Sequence, residues 1–223
     1  MSWLNVKHAM DLSPWIRIPL MWPEPGLEDV EEAQSPEAWA RHFAECLWAE
    51  CAAEVPEPGE VELLTDILVM YAVRAPAAYP DFEVFLHLPH PREIPLPAYV
   101  DLVEIEEGEE GEKGEGRDTA LRALTHADAD YTVEPPVVED FPSPHLGAGL
   151  RVLRYYQDEE SNEVHVGLRY AWRYEQGTEA ADVLVVLADP DAGRILKALD
   201  DVDEFARAVR ISPDVEADSW VSG

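Results

Sequence analysis

Residues 149–188 read GLRVLRYYQDEESNEVHVGLRYAWRYEQGTEAADVLVVLA, and this stretch decides the fold. Gly149–Gln157 and Val164–Tyr174 flank the polar run DEESNE at 158–163, which predicts two strands joined as a hairpin. In the second strand Val164, Val166, Leu168, Tyr170, Trp172 and Tyr174 recur with a period of two, so they share one face, expected to be the core face. Ala181–Ala188 is an unbroken apolar run, as in a strand covered on both sides.

Working outward, Asp189 and Pro190 are placed to cap and open a closing helix. Ile195, Leu196, Leu199, Val202, Phe205 and Val209 would line its buried face. Upstream, Tyr131–Val138 reads as a strand with Pro135-Pro136 marking an edge or a bulge, since proline cannot donate to a ladder. Asp81–Leu88 and Leu96–Ile105 read as neighbouring strands, and the run from Trp15 to Leu20 as an edge strand. Helices are predicted after Ser35-Pro36, with Trp39, Phe43, Leu47 and Cys51 as an apolar stripe, over 60–74, and over Asp118–Ala127. Glu106–Gly116 (EEGEEGEKGEG) has no apolar side chain to bury and reads as a solvated, mobile loop. The expectation is one α+β domain over 1–223, an α/β/α sandwich with a mainly antiparallel sheet and a C-terminal helix.

IRIPL at 16–20, ADVLVVLADP at 181–190 and LKALDDVDEFARAVRI at 196–211 give the chain a pattern that resembles the PsbP-like sandwich family in its bacterial, LpqN-type form. The resemblance implies that fold and a non-catalytic binding or assembly role. The acidic run at 106–116 and an N-terminus without a lipoprotein signal depart from the family, so no functional residue is carried over.

The chain has 47 acidic and 16 basic side chains and a formal charge of −31. Such a field repels nucleic-acid phosphates and anionic membranes and favours a protein partner with a basic surface. The few lysines (Lys7, Lys113, Lys197) fit a GC-rich, actinobacterial-like coding bias, and adaptation to a salty solvent would give the same acidity. Cys46 and Cys51, five apart on one predicted helix, are poorly placed to bridge, which suits a cytoplasmic protein. The first residues lack the basic and apolar blocks of a signal peptide.

No nucleophile elbow, phosphate loop or dinucleotide fingerprint is present, and no catalytic residue or cofactor is assigned. His87 and His90, near Asp81 and Glu93, lack a second ligand pair; His126, Asp128 and Asp130 lack the glycine and distal glutamate of a calcium loop. Both groups are read as turn and loop residues rather than metal ligands. Two features stand above this background. Trp3 and Trp22 lie outside the predicted helices and suit partner contact. Arg151, His165, Arg169 and Arg173, with Tyr155, are expected to gather on the hairpin's other face, balanced by helix carboxylates or by an anionic partner. The leading expectation is a non-catalytic interaction or assembly factor. The alternatives are an acidic immunity or inhibitor protein that neutralises a basic toxin or nuclease, and an enzyme with an unrecognised carboxylate or His/Asp site.

Overall fold

A computed structural model describes residues 4–7, 14–51, 54–105, 115–130, 132–157, 162–176 and 179–213. The chain divides into two compact units, Ser13–Tyr99 and Met1–Leu12 with Val100–Gly223. The fold is α+β, with helices layered on a mainly antiparallel sheet, as the alternation in the sequence predicts. Among the described residues no helix is long and apolar enough to cross a membrane.

In the first unit, β2 (Trp15–Ile18) pairs antiparallel with β3 (Glu83–His87), and β3 neighbours β4 (Leu96–Glu104), which continues into the second unit. Two helices follow β2: α1 (Pro36–Glu50) and α2 (Glu60–Ala78). Ser35 caps α1, its hydroxyl accepting from Ala38 N at 3.2 Å, with Pro36 at the first helical position. Gly59 precedes α2 at φ 94°, a left-handed conformation that glycine adopts without a Cβ clash. Ile16 faces Leu86 and Ile18 faces Val84, so all four share one face. That face joins Leu64, Leu68, Ala72, Trp39 and Trp48 in a single core. The α1 stripe is shifted from the expected one. Trp39, Ala40, Ala44 and Trp48 are buried, while Phe43 and Leu47 pack at the margin. Two small alanines let the helix approach closely, and the large indoles at each end take the burial.

The second unit has the order β4-β8-β7-β6-β5, with β5 Val137–Asp140, β6 Gly149–Gln157, β7 Val164–Gln176 and β8 Glu179–Asp189. The β5/β6, β6/β7 and β7/β8 pairs are antiparallel. The edge strand starts after Pro135-Pro136 rather than running through them, because those residues cannot donate to the ladder. β7 is covered on both faces. Leu168, Tyr170 and Trp172 are buried on one, and Ala171 joins Leu150, Leu184 and Leu121 on the other. Leu121 belongs to α3 (Glu115–Thr125), which therefore lies on that second face, and α3 starts three residues earlier than expected. The remainder of the acidic run, 106–114, lies outside the described residues, as do 158–161 of the hairpin turn.

The closing helix is two helices, α4 (Ala192–Lys197) and α5 (Leu199–Ala208). Asp191, not Asp189, caps α4 through Gly193 N at 2.9 Å. Asp189 ends β8 and bonds Asp191 N and the Arg194 guanidinium. The break at Ala198 rotates Leu196 out to solvent, so it leaves the expected buried stripe. Val202, Phe205 and Ala206 are buried as the amphipathic pattern requires. A two-stranded sheet of β1 (Leu4–Lys7) and β9 (Arg210–Pro213) was not legible in the sequence. Four-residue strands at opposite ends of the chain carry too little periodicity to be seen.

Candidate functional site

The register of the hairpin divides the expected basic island. Arg151 is opposite Tyr170, Tyr155 opposite Val166, and Arg169 opposite Val152. Opposite residues project to the same side. Arg151 and Tyr155 therefore share the Tyr170 face, while His165, Arg169 and Arg173 lie on the face that α3 covers. Alternation within a strand could be read from sequence, but the offset between two strands could not.

On the Tyr170 face, Arg151 is held between two carboxylates. Glu139 is its cross-strand neighbour on β5, with Nε to Oε2 at 3.1 Å, and Asp203 of α5 receives Nη1 at 2.6 Å. Asp203 also accepts the Tyr170 hydroxyl at 2.6 Å. Burial and that bond both push the Tyr170 phenol well above its usual range. Phe141 meets Tyr170 edge-on at 4.8 Å and Trp172 at a tilt at 5.9 Å, and receives Arg207 over its ring at 4.4 Å. The network ties α5 to the sheet through a helix carboxylate, the internal counter-charge expected for this arginine.

On the α3 face the arginines are balanced differently. Arg173 makes a two-pronged pair with its cross-strand neighbour Asp182, both bonds at 2.8 Å. Arg169 donates to the Leu124 carbonyl at 2.8 Å, at the C-terminal end of α3 where carbonyls lack intrahelical partners. Arg117 of α3 reaches the carbonyls of Ala148 and Arg173 at 2.9 and 3.2 Å. Arg169 and Arg117 hold α3 to the sheet through backbone carbonyls, while the Arg173–Asp182 pair joins β7 to β8.

Arg154, which the sequence did not single out, is nearly buried beside them and lies 5.0 Å from the Tyr156 ring centroid. Its Nη1 is 3.0 Å from His126 Nδ1. A guanidinium only donates, so Nδ1 accepts and the neutral ring carries its proton on Nε2. Burial, then Arg169 and Arg154, lower the His126 pKa to about 4. His126 also sits at φ 55°, a left-handed position just past α3. The folded protein therefore binds fewer protons than the unfolded chain between about pH 4 and the ordinary histidine value of 6.5. Stability contributed here is complete above that window and lost as pH falls through it. His126→Asn, which tolerates left-handed backbone, should flatten the fall in melting temperature between pH 6.5 and 4. An unchanged slope would remove His126 as its source.

The other flagged residues are dispersed. His87 is buried with its ring 4.9 Å from Trp15, and Asp128 pairs with Arg122 at 2.5 and 2.9 Å. His90 Nε2 lies 3.4 Å from Glu54, next to Arg92, which pairs with Glu54 and Glu60 and covers the Trp48 ring at 4.9 Å. Among the described residues no three His, Cys, Asp or Glu side chains gather as a metal site. Trp22 is half-buried, edge-on to Trp39 at 6.1 Å, and Met21 beside it is exposed. Trp3 lies outside the described residues.

No family model matches the sequence, and no curated protein matches it. Two solved structures show fold-level likeness. LpqN, involved in cell envelope biogenesis of Mycobacterium tuberculosis, aligns with TM-score 0.40 and 6% identity over 59% of this chain and 72% of its own. The Saccharomyces cerevisiae Ran-binding protein Mog1p aligns with TM-score 0.33 and 13% identity over 58% of this chain and 78% of its own.

Proposed function

We propose that this protein is a non-catalytic binding protein that captures a partner with a basic surface. What supports the reading is the distribution of charge. Arg17, Arg92, Arg122, Arg151, Arg173, Arg194 and Arg207 are each engaged by a carboxylate of this chain. Glu37, Glu45, Glu50 and Glu62 of α1 and α2 are exposed and outnumber the one exposed arginine of α1, Arg41, which lies a helical turn from Glu37 and from Glu45. With these seven arginines engaged by acids of the chain, the outward field belongs mainly to the remaining carboxylates, and a field of that sign speeds encounter with a basic surface. Trp22, with its exposed sequence neighbour Met21, is the short-range apolar contact in this reading; Arg151, Arg169 and Arg173 act in it as supports within their own unit.

A pull-down from the native host supplies the partner, and surface plasmon resonance tests the mechanism. Raising salt from about 0.05 to 0.5 M should slow association at least tenfold and change dissociation by less than about threefold. The double variant Glu45→Lys, Glu50→Lys, away from the N-terminal turn of α1, should also slow association at low salt with little change in the melting temperature. Association indifferent to both would overturn the reading.

A further inference from the structure

The outward side of α2 carries apolar residues that the fold leaves partly exposed. Leu63, Met70 and Val73 are 61%, 39% and 52% exposed. With Asp66 and Ala77, also exposed, they fall at 63, 66, 70, 73 and 77, the three-four spacing of a helix-packing seam. The inward side, Leu64, Leu68, Ala72 and Ala75, is buried in the core, while the outer seam leaves much of its apolar surface open to solvent.

Two charges on this seam are arranged for a copy of itself. Asp66 and Arg74 are exposed, and among the described residues neither forms an ion pair. Eight residues apart, they stand about 12 Å from each other along the helix and cannot meet. We infer that α2 is the contact of a two-fold homodimer, with the helices antiparallel and the axis passing by Met70. In that register each Arg74 falls opposite the other copy's Asp66, and each large Leu63 opposite the small Ala77. The two Met70 side chains meet at the centre, where a flexible thioether fills irregular space. A parallel pairing would instead oppose Arg74 to Arg74 and Asp66 to Asp66.

The chain's charge of −31 opposes association of two copies at long range, so the dimer is favoured by salt. This is the opposite sign to capture of a basic partner, and the two readings stand or fall separately. The test is size-exclusion chromatography with light scattering on the full chain. A dimer should be present at about 0.5 mM protein in 0.5 M salt and weaken as salt is lowered. Asp66→Arg and Arg74→Asp should each weaken dimerisation roughly fivefold to tenfold, and the double swap should restore it, because it rebuilds both pairs. In a Cys46→Ser, Cys51→Ser background, Met70→Cys should oxidise readily to a linked dimer. Ala77→Cys should not, since its two copies would stand about 21 Å apart along the axis. A monomer under all these salts, a double swap without rescue, or equal cross-linking at 70 and 77 would each overturn the inference.

Discussion

Asp182→Ala should lower the stability of this protein by about 3 to 5 kcal/mol, the largest loss expected of any single charge removal here. Asp182 and Arg173 are cross-strand neighbours on β8 and β7, joined by two parallel bonds at 2.8 Å, with side chains only 8% and 12% exposed. Truncating the carboxylate leaves a guanidinium in a nearly dry place without its two-pronged acceptor, and a charge so placed is costly. At roughly 2 to 4 °C per kcal/mol for a chain of this size, the melting temperature should fall by about 6 to 20 °C. The pair itself is not expected to be a large net stabiliser, because both ions were taken out of water. Arg173→Met with Asp182→Leu should therefore lie within about 1 kcal/mol of the native protein. Calorimetry of the three proteins decides the matter. A loss below about 1 kcal/mol in Asp182→Ala would show that water or another group replaces the carboxylate.

Gly149→Ala should be nearly as damaging, at about 3 kcal/mol or more, although it adds one methyl group. Gly149 lies directly opposite Trp172 in the β6/β7 ladder. A Cβ there would fall 2.2 Å from Trp172 Cδ1 and 2.6 Å from the Ala171 carbonyl oxygen. Neither neighbour can yield easily. The indole is fully buried, its N–H donates to the Phe141 carbonyl at 3.0 Å, and its ring lies parallel to Tyr170. Shifting it would break that bond and disturb the aromatic group beneath α5. Trp172→Leu should partly rescue Gly149→Ala, since the smaller side chain vacates the space. A Gly149→Ala protein as stable as the native one by urea unfolding would contradict this packing.

Most elements of this fold are legible in its residues because each has a local cause. Ser35-Pro36 starts α1, Gly59 starts α2, and alternation sets the strands of the second unit. The candidate site was less legible. Trp22 packs edge-on to Trp39, Arg151 ties α5 to the sheet, Arg169 ties α3 to it and Arg173 joins β7 to β8, contacts that spacing along the chain does not show. The pairing of Arg154 with His126 joins residues 28 apart, and no spacing rule reaches that far.

By itself the sequence determined what depends on neighbours along the chain: strand and helix identity, the α+β class, an acidic surface, and the absence of recognisable catalytic motifs. Tertiary structure alone decided the offset between β6 and β7, which placed Arg151 on one face and Arg169 and Arg173 on the other. It also decided that α4 and α5 break at Ala198, and that β1 finds β9. The physical reason is the range of the interactions. Capping, proline geometry and periodicity act within a few residues. Register and ion-pair choice are settled by side chains that meet only after the sheet has assembled.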